Sequence, residues 1–260
     1  MTPPHSATDS DHELAARLAT DAGRLLLTVR EKYADASVAE RKDAGDAEAQ
    51  RFLASALAAE RPGDAVLSEE ADDDRARLAA DRVWIVDPLD GTREFGQPGR
   101  DDWAVHVALW ERGDLTAAAV SLPVEGRTLA TPEIARPDTA DGAGPRVIAS
   151  RSRPPAIAEE VADRLGGTLI GMGSAGAKAM AVVLGRADVY LHTGGLHEWD
   201  TAAPVGVARA AGLHTSRVDG SPLAYNQADV YQPDLLICAP RYVDSVLALV
   251  HEYGAGCRYR

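Results

Sequence analysis

Cysteine pairs, aromatic side chains and long apolar runs are all scarce in this 260-residue chain. No run reaches the ~18 apolar residues of a membrane span, so no membrane partner is expected. Residues 1–10 are polar and contain two prolines, and their lack of an apolar centre argues against a signal peptide. The only cysteines, Cys238 and Cys257, have no metal-ligand spacing and suggest no disulfide framework; a reducing cytoplasm is the simplest home. His192 and His197 do not share a helical face, so they form no zinc pattern. No Ser or Cys elbow offers a nucleophile. Aromatics are 5% of residues, so the core must be mostly Ala, Val and Leu. Basic residues are outnumbered 40 to 27, giving a net charge of −13. That argues against nonspecific binding to nucleic acid but not against a small anionic substrate, because bound cations reverse a local field.

The chain does have a concentrated motif at residues 84–94, WIVDPLDGTRE. Trp84-Ile85-Val86 predicts a buried strand, ended by Pro88, which has no N–H to donate. Asp87 and Asp90 follow at its end, and carboxylates so placed suit a hard cation such as Mg²⁺ that keeps waters for a phosphate. Gly91 and Thr92 come next, where backbone N–H groups and a helix start would favour an anion. A strand, a turn and an Asp cap would give the same letters.

Around this stretch, the first half reads as α+β and the second as α/β. Apolar spacing predicts a helix over 9–32 capped by Ser10, and a second emerging within 41–60, where Asp43 or Asp46 either caps it or faces a metal site. Residues 65–67 predict a strand followed by Ser68-Glu69-Glu70. If it neighbours the 84–86 strand, Glu69 and Asp87 meet at one edge. Residues 72–82 read as a solvated connection. A meander over 103–130 precedes a loop or domain boundary at 134–145. Strands at 146–149, 168–170, 187–191 and 235–238 then alternate with helices, with a loop over 193–198 before a helix opened by Asp200, which is a cap or a ligand. The expected organisation is a 1–145 half carrying the metal and phosphate site and a 146–260 half completing the substrate site, in one compact unit.

Asp46, Glu69, Asp87, Asp90 and Asp200 all stand at element ends. Clustered carboxylates repel one another without cations, so a real cluster implies metals, and two or three Mg²⁺ ions would hold a phosphoryl oxygen, activate a water and stabilise the leaving oxygen. Lys178 and Arg153 lie in Gly/Ser-rich turns, as surface charge or as contacts to a second phosphate. Residues 171–176, GMGSAG, match G-x-G-x-x-G but lack the acidic ribose partner of a dinucleotide site.

Asp87-Pro88-Leu89-Asp90-Gly91-Thr92, with Glu69-Glu70 upstream and Glu198-Trp199-Asp200-Thr201-Ala202-Ala203 downstream, resembles the inositol monophosphatase superfamily over nearly the whole chain. The resemblance implies Mg²⁺-dependent, lithium-sensitive phosphatases with the layered αβαβα sandwich of fructose-1,6-bisphosphatase. Residues 66–70, 87–95, 99–106, 173–180 and 219–223 are most similar to the 3′(2′),5′-bisphosphate nucleotidase branch, of the CysQ type of actinobacteria. By that resemblance Glu69, Asp87 and the Leu89 carbonyl hold one Mg²⁺, Asp87, Asp90 and Asp200 a second, and Glu69 a hydrated third. Gly91 and Thr92 contact the scissile phosphate, while Thr92 and Asp46 orient the attacking water. Ser174, Lys178 and Arg153 fall in the substrate region. Asp43 stands where the family usually carries Thr, and Arg153 where nucleotidases often carry His; Arg there would still grip a phosphate or stack on adenine. The implied activity is removal of the 3′-phosphate of adenosine 3′,5′-bisphosphate (PAP), and of its sulfated relative PAPS, in sulfur assimilation. The alternatives are an inositol or sugar-phosphate phosphatase, such as one for fructose 1,6-bisphosphate, and a silent metal- or nucleotide-binding regulator. A homodimer is left open.

Overall fold

The computed structural model describes residues 10–132, 134–135 and 144–257; the boundary expected at 134–145 lies mostly outside them. Ser10 caps helix α1 (Asp11–Lys32) through a reciprocal box with Glu13, and Ser37 caps α2 (Val38–Glu60) with Glu40 in the same way. The Ser-x-x-Glu spacing satisfies two orphan N–H groups at each helix start. Because α2 begins upstream of them, Asp43 and Asp46 lie inside the helix and neither caps it.

Strands β1 (Ala65–Ser68), β2 (Arg82–Asp90), β3 (Ala104–Glu111), β4 (Asp114–Leu122) and β5 (Arg127–Ala130) form one sheet in chain order. β1 runs parallel to β2, with Ser68 opposite Val86, and this register brings Glu69 to the level of Asp87. Pro88 does not end β2 as expected. The strand continues to Asp90 across a register shift against β3, and a bulge tolerates proline because its residue owes no ladder hydrogen bond. The short helix α3 (Thr92–Gly96) follows Gly91.

The second sheet has β6 (Arg146–Ser150), β7 (Thr168–Met172), β8 (Val189–His197), β9 (His214–Ser216) and β10 (Tyr231–Cys238), ordered β7-β6-β8-β10-β9. β8 pairs with β10 as far as His197, so most of the loop expected at 193–198 is strand. Its Thr-Gly-Gly letters hide a pairing that only the long-range partner supplies. The helices of this half are α4 (Ala156–Arg164), α5 (Ala175–Val183), α6 (Glu198–Ala210) and α7 (Val243–Cys257).

Alternating side chains on the strands sort into layers. Trp84 and Val86 of β2 pack with α1 and α2. Val83 and Ile85 face α5 and α6, which pack on their other side against Ile148, Tyr190 and Ile237 of the second sheet. The far face of that sheet, with Val147, Leu191 and Leu236, is covered by α4 and α7. The order is therefore αβαβα, and the β2 end carrying Asp87 and Asp90 abuts the start of the central helices. Among the described residues no helix is long and apolar enough to cross a membrane.

Candidate functional site

Asp87, Asp90 and Asp200 each present a carboxylate oxygen within 4.8 Å of the others. Asp87 is fully buried; its Oδ1 accepts from the Leu89 N–H at 3.0 Å, whereas among the described residues Oδ2 has no hydrogen-bond partner, with His106 Nδ1 4.0 Å away. Burial, with the charges of Glu69, Asp90 and Asp200, raises the Asp87 pKa well above the ordinary carboxylate value. Glu69 stands beside this trio. Desolvation, followed by the charges of Asp200, Asp90 and Glu70, pushes its pKa up to about 7.

Asp90 has the opposite environment. Its Oδ2 accepts from Ser174 Oγ at 2.5 Å and the Gly176 N–H at 2.6 Å, and Oδ1 accepts from the Ala175 N–H at 3.1 Å. His106 Nε2 lies 3.1 Å from Oδ2. Burial acts to raise the Asp90 pKa, but His106 and these donors outweigh it and hold the pKa at about 2. The approach is close enough that a Cβ at Gly176 would stand 2.0 Å from His106 Nε2. Ser174, expected to meet substrate, is buried and spends its hydroxyl on Asp90 while accepting the Ala177 N–H.

Asp200 lies one turn inside α6, whose N-cap is His197; it is not the cap itself but reaches back to accept the His197 N–H at 2.6 Å. The helix start is anchored by Glu198, fully buried, which accepts the N–H groups of Asn226 and Gln227 at 2.7 Å each. Asn226 Oδ1 in turn accepts from Arg77 Nη1 at 2.7 Å, and Asp73 binds the same guanidinium through both oxygens. Arg77 is 1% exposed. The segment expected to be a solvated connection therefore contains a buried arginine that ties β1 and β2 to α6.

Thr92 Oγ1 stands 3.0 Å from the Leu89 carbonyl and 3.3 Å from Asp46 Oδ1. Desolvation and the neighbouring Glu70 charge raise the Asp46 pKa to about 6. Asp43 is exposed, so Asp46 is the α2 carboxylate that meets Thr92. Gly91 joins this pair to the cluster: its φ of 87° is left-handed, and an added Cβ would approach Ser174 Cβ to 3.0 Å, which a side chain tolerates poorly.

Beyond residues 173–174 opens a pocket of about 230 Å³, lined by Arg93, Arg100, Arg151, Arg153, Lys178 and neighbouring residues. Lys178 is 4% exposed, which rules out its reading as surface charge. Its ammonium donates to the carbonyls of Gly173 and Ser174 at 2.5 and 2.7 Å, and burial lowers its pKa to about 8. Arg153 is exposed at the rim. Arg93, Arg100, Arg151, Asp102 and His106 were not singled out as site residues from sequence. Arg93 and the 99–106 segment lie within the stretches that carried the family resemblance, but nothing local says that 99–106 folds back onto Asp90 and Arg151.

The inositol monophosphatase family model matches residues 9–254. A 3′-phosphoadenosine 5′-phosphate phosphatase of Mycobacterium leprae is 50% identical over 95% of this chain and 96% of its own length. The 3′(2′),5′-bisphosphate nucleotidase CysQ of Escherichia coli K12 is 30% identical over 83% of this chain and 94% of its own. Among solved structures, CysQ from Bacteroides thetaiotaomicron superposes with a TM-score of 0.70 at 28% identity, covering 87% of this chain and 96% of that one. With its layers, its carboxylate cluster and this extent of similarity, the chain belongs to the inositol monophosphatase family.

Proposed function

We propose that the chain is a Mg²⁺-dependent phosphomonoesterase that removes the 3′-phosphate of PAP to give AMP, with PAPS as a second substrate and a place in sulfur assimilation. The observation that carries this reading is the turn at residues 173–176. On one side it donates to Asp90 of the carboxylate cluster, and on the other it lines the arginine pocket. Two anionic groups of one small molecule thus have adjacent sites, whereas an inositol ring with one phosphate would leave the arginines unused. The names of the mycobacterial and enterobacterial relatives support the same substrate class.

The donor set fits a hard divalent cation. It is all oxygen, and among the described residues the buried Asp87 Oδ2 has no hydrogen-bond partner, only His106 Nδ1 at 4.0 Å. Asp87, Asp90 and Asp200 would hold the ion, with Glu69 and the Leu89 carbonyl beside them. Bound there, Mg²⁺ supplies positive charge for the phosphoryl and leaving oxygens. Asp46 and Thr92 orient the attacking water. Asp46, with a pKa of about 6, is ionised at neutral pH yet basic enough to take the water's proton. As the water oxygen bonds to phosphorus and its proton passes to Asp46, the bond from phosphorus to the ribose 3′ oxygen breaks; that oxygen takes up a proton from solvent to become the 3′-hydroxyl of AMP, and inorganic phosphate is released. Gly91 and Thr92 contact the scissile phosphate. Arg153 closes the rim over the second phosphate, while Lys178 and Ser174 shape the floor from below.

Initial rates with Mg²⁺ on PAP, inositol 1-phosphate and fructose 1,6-bisphosphate test the assignment. PAP is expected to be fastest, and a large preference for inositol 1-phosphate would overturn it.

A further inference from the structure

The arginine pocket is organised by a residue outside its lining. Asp102 is 5% exposed, and its two oxygens accept four hydrogen bonds. Arg100 Nε donates to Oδ1 at 2.7 Å; Arg100 Nη2, Arg151 Nη2 and the Gly173 N–H donate to Oδ2 at 2.6, 2.9 and 2.6 Å. These donors come from three separate places in the chain: the segment before β3, the turn after β6 and the turn after β7. One buried carboxylate thus gathers two guanidinium groups and the turn between the pocket and the carboxylate cluster.

A purely structural cross-link would use up its arginines, and this one does not. The Arg151 side chain is 45% exposed and Arg100 25%, and both line the pocket. Arg93 and Arg153 line it too, and among the described residues their side chains have no hydrogen-bond or ion-pair partner. Glu94 offers only a 3.5 Å contact to Arg100. The pocket therefore keeps an excess of positive charge within a chain of net charge −13. Charge-assisted, geometrically fixed guanidinium donors are what a phosphate dianion selects, and holding them in place before binding removes part of the ordering cost. Lys178 is less suited to that grip, because its ammonium already serves two carbonyls.

We propose that Asp102 is a positioning residue for substrate choice: by fixing Arg100 and Arg151 it makes the pocket select a second phosphate, and so distinguishes bisphosphorylated from monophosphorylated nucleosides. This rests on the nucleotidase reading above. The test compares kcat and KM of the Mg²⁺-loaded enzyme on PAP and on 3′-AMP, which lacks the second phosphate. In Asp102→Asn the ratio of kcat/KM for PAP over 3′-AMP falls about tenfold, with KM for PAP carrying most of the loss, as expected when charge-assisted donors lose their alignment. Arg151→Gln, at a half-exposed position that does not endanger folding, lowers the same ratio. The double variant loses less than the product of the two single losses, because Asp102 acts partly through Arg151. An unchanged ratio in Arg151→Gln, or in a folded Asp102→Asn, overturns the inference alone, as do multiplicative losses. A wild-type enzyme that hydrolyses PAP no better than 3′-AMP overturns both this inference and the nucleotidase reading.

Discussion

Two neighbouring carboxylates of the cluster should respond in opposite directions to the same substitution. From sequence alone, Asp90→Asn removes a metal ligand and leaves the fold untouched. In the structure Asp90 also braces α5 against β2 through Ser174, Ala175 and Gly176. An asparagine carbonyl can replace only one of its oxygens. With that oxygen facing Ser174, Gly176 and His106, the new amide confronts the Ala175 N–H, and an orphaned buried donor costs ~1–3 kcal/mol. The remaining bonds lose their charge assistance, ~0.5–1 kcal/mol each. A total of about 3 kcal/mol corresponds, at this chain length, to a Tm lower by about 6 °C. Asp87→Asn has the reverse sign. Its amide oxygen keeps the Leu89 N–H, while the charge on Oδ2, which has no hydrogen bond among the described residues and is crowded by Glu69, Asp90 and Asp200, is removed. Relief of repulsion between such close charges, even with strong screening, raises stability without metal by about 1–2 kcal/mol, or several degrees. Differential scanning calorimetry in chelator reads both shifts. Added Mg²⁺ raises the wild-type Tm by mass action, and both variants lose most of that rise along with phosphate release. If Asp90→Asn raises Tm in chelator as Asp87→Asn does, the bracing account is wrong. If both variants keep the Mg²⁺ response and turn over near the wild-type rate, the cluster is not the metal site.

Three further outcomes are expected. Asp46→Asn lowers kcat by roughly 10²-fold with little change in KM, because a water activator acts mainly in the transition state; a pure KM effect in steady-state kinetics would return Asp46 to a packing role. His192 is held neutral by burial and by the Lys178 charge, with its pKa lowered to about 4 from 6.5. Between those values the unfolded state binds more protons, so His192 costs stability as pH falls through that window, about 2 kcal/mol between pH 7 and 5. Urea unfolding at the two pH values should show this loss reduced in His192→Gln, and an equal loss in both proteins would refute it. Arg77→Met releases Asp73 and Asn226 and lowers stability by about 2–3 kcal/mol. It also weakens the Mg²⁺-dependent rise in Tm, because the start of α6, which carries Asp200, loses its anchor; an intact Mg²⁺ response would separate Arg77 from the site.

Most of what was legible in the sequence is local in origin. The Ser10 cap of α1, the apolar run of β2 and the Asp87–Thr92 motif each follow from residues within a few positions of one another, and Glu69 and Asp200 are marked by their own places at element ends. The family resemblance added the αβαβα order, which local pattern cannot supply because it depends on which faces of the two sheets meet. The errors are also physical. Pro88 looked like a strand end because a missing N–H is costly in a ladder, but a bulge removes that cost. Asp43, Asp46 and Asp200 looked like caps because the true caps, Ser37 and His197, lie just upstream.

By itself, the sequence determined the donor chemistry: oxygen ligands at strand and helix ends, few alternatives to a hard cation, and an acidic chain with room for only a local basic pocket. The tertiary structure decided which charges are free to act. Arg77 lies in a stretch that reads as solvated and is buried; Lys178 reads either as surface charge or as a phosphate contact and is buried; Asp90 reads as a ligand and is also a brace; Arg100 and Arg151, given no role by the sequence, converge on Asp102. Each outcome depends on partners that long-range register brings together from distant parts of the chain, such as Arg77 with Asn226, Asp90 with Ser174 and Asp102 with Arg151. Such pairings leave no periodic trace, because a charged side chain is written with the same letter whether water or a buried carboxylate answers it.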